Sequence, residues 1–86
     1  MKLIVYGTMN CHDTVEALDA YKAAGYKVLF RDIDSSTKVM KEFLKLRDTE
    51  DVFKDVRANH TIGVPCIVKE DRTLTLDWKS LLPPQA

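Results

Sequence analysis

Two strand-like runs separated by a single helix length restrict this chain more than any other feature. Lys2 to Tyr6 is short, mostly β-branched or aromatic, and ends at Gly7, which reads as a buried strand. Tyr26 to Ile33 is a second strand, with Val28, Phe30 and Asp32 on one face and Leu29, Arg31 and Ile33 on the other. Between them, Cys11 to Ala24 carries Val15, Leu18 and Tyr21 at helical spacing, and Gly25 stands where a helix C-terminal glycine belongs. Strands joined by a crossover helix lie parallel, with a right-handed connection.

The second half reads differently. Asp34-Ser35-Ser36-Thr37 offers several N-caps for a helix whose apolar stripe is Val39, Met40, Phe43, Leu44 and Leu46. Asp48-Thr49-Glu50-Asp51 predicts a restart, with Val52, Phe53 and Val56 on its apolar side and Asn59 or His60 at its end. Gly63-Val64-Pro65 breaks any helix. Cys66 to Lys69 and Thr73 to Leu76, separated by Glu70-Asp71-Arg72, predict an antiparallel hairpin. Asp77 is placed to cap a last short helix, Trp78 to Leu82, which Pro83-Pro84 ends. The order β-α-β-α-(α)-β-β-α implies an α/β fold, a four-stranded mixed sheet with helices on both faces. Residues 1–82 form one domain and residues 83–86 a loose tail.

Composition narrows the function classes. The 86 residues include 13 basic and 13 acidic side chains, a formal net charge of zero, which argues against a partner such as nucleic acid that is held by phosphate neutralisation. The longest apolar run, Leu3 to Tyr6, is too short for a membrane span or a signal-peptide core. The expected location is therefore cytoplasmic, where thiols stay reduced. Cys11 and Cys66 are then candidates for chemistry or for the core, not a disulfide framework.

Cys11 opens the first helix directly after a strand and a polar turn, Thr8-Met9-Asn10. A helix N-terminus presents unpaired N–H groups and about half a positive charge, which stabilises a thiolate, the nucleophilic form. His12 is a candidate proton donor or acceptor beside it, or an exposed residue that merely fills the slot. Asp13 opposes thiolate formation. Thr14, one turn on, can donate a hydroxyl hydrogen bond to the thiolate but cannot form a disulfide. Pro65 at a strand entrance removes a ladder donor, and a cis bond at Val64-Pro65 would account for it. That geometry leaves the Val64 backbone free to pair with an extended, peptide-like ligand.

Three segments together resemble the glutaredoxins of the thioredoxin-like superfamily, particularly the small bacterial glutaredoxin-related proteins. They are Leu3-Ile4-Val5-Tyr6-Gly7 leading to Cys11-His12-Asp13-Thr14, then Phe30-Arg31-Asp32-Ile33-Asp34, then Ile62-Gly63-Val64-Pro65. The resemblance runs from Lys2 to about Leu76 and implies a thioredoxin-like fold. It implies that Cys11 attacks disulfides or glutathione mixed disulfides, and that Val64 and Pro65 line the glutathione site. Thr14 replaces the second motif cysteine, so a dithiol cycle within the motif is excluded. His12 replaces the usual proline. Thr8 occupies the slot of a lysine that commonly meets a glutathione carboxylate, and Leu76-Asp77 stands where a Gly-Gly is common.

The expected function is a monothiol thiol–disulfide oxidoreductase acting through Cys11. Glutathione or another low-molecular-weight thiol serves as cosubstrate, and no cofactor is tightly bound. Expected partners are that thiol and a disulfide-bearing protein substrate, with no nucleic acid or membrane, and the chain acts as a monomer. Cys66 is a candidate resolving thiol across the site, or a buried strand residue. The alternative is a non-catalytic thioredoxin-fold binding module or redox sensor. No metal is expected, because Cys11, His12, His60 and Cys66 lack Cys-x₂-Cys pairing and a cluster shared through glutathione would need the weakened glutathione site.

Overall fold

The structure is a computed structural model, and it describes residues 1–84; Gln85 and Ala86, the end of the expected tail, lie outside the described residues. It is an α/β fold with three helices and a four-stranded mixed sheet of order β2-β1-β3-β4. The strands are β1 (Lys2–Gly7), β2 (Lys27–Asp32), β3 (Cys66–Val68) and β4 (Leu74–Thr75). The helices are α1 (His12–Ala23), α2 (Thr37–Thr49) and the short α3 (Lys54–Ala58). β1 and β2 run parallel in the register Lys2 to Lys27 through Gly7 to Asp32. β3 pairs antiparallel with β1, and β4 antiparallel with β3, the expected hairpin.

Strand alternation sends β1 side chains to two different cores. Leu3 and Val5 pack with Ala17 and Tyr21 of α1, with Ile67 and with Trp78. On the other face, Tyr6 packs against a cluster of Ile33, Phe43, Phe53 and Cys66, beneath α2 and the turn that follows it. Phe43 and Phe53 meet edge to face with centroids 5.9 Å apart. Helical cover therefore lies on both faces of the sheet.

Local signals explain the helix ends. Ser36 is the cap that the Asp34–Thr37 run left open: its hydroxyl accepts the Val39 N–H at 3.2 Å. Gly25 takes φ +78°, the left-handed conformation that follows a helix terminus at low cost only in glycine. The restart predicted at Asp48 comes later. α2 continues to Thr49 and breaks at Glu50, whose backbone is extended, and a 3₁₀ turn over Asp51–Phe53 leads into α3.

The C-terminal helix expected over Trp78 to Leu82 is a single 3₁₀ turn, Trp78–Leu81. The Asp77 side chain does not cap it. So short a segment, stopped by Pro83, holds through tertiary contacts and not through helix propagation. Two tyrosines supply those contacts: the Tyr21 hydroxyl donates to the Trp78 carbonyl and the Tyr26 hydroxyl to the Leu81 carbonyl, both at 2.7 Å. The hairpin strands are also shorter than expected: β3 ends at Val68 and β4 begins at Leu74, the Lys69 N–H donates to the Thr73 carbonyl at 2.9 Å, and the chain turns through Asp71-Arg72, with Arg72 at φ +70°. Among the described residues no helix is long and apolar enough to cross a membrane.

Candidate functional site

The site is assembled where β1, α1 and the segment before β3 meet. β1 ends at Gly7, and Thr8 to Cys11 form a turn in which the Cys11 N–H donates to the Thr8 carbonyl at 3.0 Å. Asp34, just beyond β2, holds that turn. Its carboxylate accepts hydrogen bonds from the Thr8 hydroxyl and from Asn10 Nδ2. The Thr8 hydroxyl also accepts the Asn10 N–H at 3.2 Å. The turn thus delivers the chain to Cys11 in a fixed direction, and Cys11 is the N-cap residue of α1.

The Cys11 side chain does not cap its own helix; the sulfur reaches across to the Val64 carbonyl oxygen at 3.8 Å. The thiol is half-buried. Val64 precedes Pro65 through a cis peptide bond. The Val64 N–H has no hydrogen-bond partner among the described residues. Sequence reasoning anticipated the cis bond.

Gly63 makes this approach possible. Its φ is +85°, and a Cβ there would stand 2.7 Å from the Phe53 ring. The backbone slides under Phe53 with no room for a side chain, and the next residue reaches the thiol.

The remaining site candidates fall in distinct places. His12 is 84% exposed, and its Nε2 lies 2.8 Å from Glu16 Oε1, one turn along the helix surface. Its imidazole is engaged by Glu16. Thr14 is fully buried, with a hydroxyl that has no hydrogen-bond partner among the described residues. Helical side chains lean toward the helix N-terminus, and this one leans onto the end of β1. A Cβ on Gly7 would sit 2.6 Å from its Cγ2 and Oγ1. The expected hydrogen bond from Thr14 to the Cys11 sulfur is not formed.

Cys66 is fully buried in the cluster with Ile33, Phe43 and Phe53. Burial pushes its thiol up to about 12, with Glu50 adding to the rise. The two thiols are both free, Cys11 half-buried and Cys66 buried. Thr8 is buried and its hydroxyl is bound to Asp34, so it is not offered to a ligand. Among the described residues no three His, Cys, Asp or Glu side chains converge as a metal ligand set.

Two features escaped sequence reasoning. Asp34 was legible as a helix-cap candidate and as the end of a segment carrying the resemblance, but not as the residue that binds Thr8 and Asn10. Arg31 and Glu42 form a bidentate pair, with Nη2 2.7 Å from both carboxylate oxygens, and the Tyr6 hydroxyl donates to the same carboxylate at 3.4 Å. The Arg31 guanidinium holds the Glu42 carboxyl below its ordinary range, and burial raises the Tyr6 phenol. This network braces α2 over the sheet near the site.

Comparison with protein-family models, curated proteins and solved structures found no match to this chain.

Proposed function

We propose that this protein is a monothiol thiol–disulfide oxidoreductase on a thioredoxin-like, glutaredoxin-type scaffold, with Cys11 as its nucleophile. The observation that carries the reading is the meeting of a half-buried cysteine at the N-terminus of α1 with the backbone of Val64, whose N–H is unpartnered among the described residues. A disulfide in an extended ligand can lie along Val64 and present a sulfur to Cys11.

The cycle has two exchanges. The Cys11 thiolate attacks one sulfur of a mixed disulfide between a substrate and a low-molecular-weight thiol. The S–S bond breaks, the substrate leaves as a thiolate that takes up a proton, and Cys11 holds the small thiol as a new disulfide. A second small-molecule thiolate attacks that small thiol's sulfur, releasing the symmetric disulfide and restoring Cys11. The resolving thiol is external in this scheme, since Thr14 has no sulfur and Cys66 is buried. The substrates are glutathione or another low-molecular-weight thiol and a disulfide-bearing protein. The protein acts as a monomer in the cytoplasm with no tightly bound cofactor.

A second reading, a redox sensor or binding module modified at Cys11 without turnover, is favoured by one observation. The Thr8 hydroxyl is spent on Asp34, and no side chain at that position is left to anchor a ligand carboxylate. A reduction assay on mixed disulfides of several small thiols, wild type against Cys11→Ser, separates the two. Multiple turnovers that vanish in the variant support the oxidoreductase. A single stoichiometric adduct supports the sensor. Full activity in Cys11→Ser overturns both.

A further inference from the structure

The opposite end of the sheet carries a groove that the thiol chemistry does not use. Strand register builds it in rows. On the α2 face, Arg31, Tyr6 and Cys66 stand side by side across β2, β1 and β3, and α2 covers them. One step toward the start of β1, the aligned residues are Leu29, Ile4, Val68 and Leu74, all apolar. α2 reaches only the side of this row, where Leu46 and Glu50 form a wall. Leu29 is left 56% exposed, and the other three are half-buried. The space above the row has a volume of about 940 Å³.

The rim is cationic at both ends. Lys2 and Lys27 are direct neighbours in the β1–β2 register, and Lys69 and Arg72 line the β4 side. None of the four has an ion-pair partner within 4.0 Å among the described residues. Two carboxylates line the same space, Glu50 and Glu70, and Glu70 accepts the backbone N–H of Lys2 at 2.7 Å. Four cations thus face two acids. Like charges placed side by side on a sheet are unfavourable unless an opposite charge lies over them.

We propose that this groove docks an acidic amphipathic helix of a partner protein. The apolar row crosses four strands, three spacings of about 4.8 Å, or roughly 14 Å. A single-headed anion such as a fatty acid would satisfy cations at one end only. Acidic side chains flanking an apolar stripe over about three helical turns, each 5.4 Å, reach both ends while the stripe covers Leu29, Ile4, Val68 and Leu74. The groove lies at the Lys2 end of β1 and Cys11 beyond the Gly7 end, so the docked helix leaves the thiol open. The inference rests on no reading of the thiol.

The test uses a synthetic peptide of about 14 residues, roughly 21 Å of helix, with leucines at i, i+3, i+4 and i+7 and glutamates elsewhere. Titrated into the ¹⁵N-labelled protein, it should shift the amides of Ile4, Leu29, Val68 and Leu74, with an affinity that falls as salt rises. Leu29→Asp, at an exposed position, and the double variant Lys2→Glu/Lys27→Glu should each weaken binding at least tenfold. The rate of Cys11 alkylation should not change on peptide binding. No binding at millimolar peptide overturns the proposal, as do shifts mapped elsewhere or equal binding of a lysine-substituted peptide. Saturable binding of dodecanoate without binding of the peptide assigns the groove to a small amphiphile. Self-association abolished by Leu29→Asp assigns it to a second copy. Either result also overturns the proposal.

Discussion

The sulfur of Cys11 lies 3.8 Å from the carbonyl oxygen of Val64, a residue 53 positions away in the chain. The contact joins the start of α1 to the approach to β3. It is supported from both sides. Asp34 holds the Thr8–Asn10 turn on one side, and Gly63 passes beneath Phe53 on the other.

The two thiols should differ sharply in reactivity. Cys11 is half-buried and Cys66 fully buried. With its thiol pushed up to about 12, Cys66 is ionised at pH 8 to only about one part in ten thousand. Iodoacetamide at pH 8 should therefore add one label to the native protein, at Cys11, and the second only in denaturant. Mass spectrometry of the intact and digested protein reads this directly. Two labels on the native protein, or none, would contradict this arrangement of the thiols.

Gly63→Ala should be among the most damaging small substitutions. The left-handed backbone costs a non-glycine residue about 1–2 kcal/mol, and forcing a methyl group against a packed ring adds about 1–3 kcal/mol. A loss of about 2–5 kcal/mol in urea unfolding is expected. Val64 follows directly, so the rate of Cys11 alkylation should also change. An unchanged unfolding midpoint would show that neither the left-handed backbone nor the Phe53 ring opposes a side chain here.

The sequence was most informative where a local rule and a tertiary demand coincide. Gly25 ends α1 for a reason internal to the helix, and Gly7 closes a strand of the expected length. Cys11 at a helix start and a cis bond before Pro65 were legible because a short pattern carries each. Contacts that depend on what lies across the fold were not. Asp34 looks like any helix cap until Thr8 is brought to it from 26 positions away. The Thr14 hydroxyl could be placed one turn from Cys11 by helix geometry, but only the closeness of Gly7 turns it onto the strand. The apolar row across the sheet needs the register of three strand pairs, whereas alternation within one strand defines only a face. The C-terminal turn reads as a helix because its anchors, Tyr21 and Tyr26, are more than 50 residues away.

Thr14 separates packing from chemistry. Its hydroxyl is buried without a partner among the described residues, and an unpaired buried hydroxyl costs about 1–3 kcal/mol. Thr14→Val keeps the branched shape and removes the polar atom. It should raise stability by about 1 kcal/mol and leave the Cys11 alkylation rate unchanged. A stable variant whose Cys11 reacts several times more slowly would instead assign the hydroxyl to the thiol.

Glu42 gives the fold a sensitivity to acid of known sign. Its hydrogen bonds to Arg31 hold the carboxyl below the ordinary value, with Tyr6 and Lys38 adding to the effect. The folded state therefore binds this proton more weakly than the unfolded state does. The stabilisation is present above the unfolded value of about 4.3 and is lost as pH falls through the lower folded value. Glu42→Gln removes the charge at every pH. The variant should have a lower urea midpoint than wild type at pH 7, and the two curves should converge as pH falls through the folded value. Both partners are partly exposed, so added salt should narrow the gap at pH 7. Parallel curves from pH 7 to pH 3 would mean that the Arg31–Glu42 pair contributes through shape alone and that the acid sensitivity of the fold lies elsewhere.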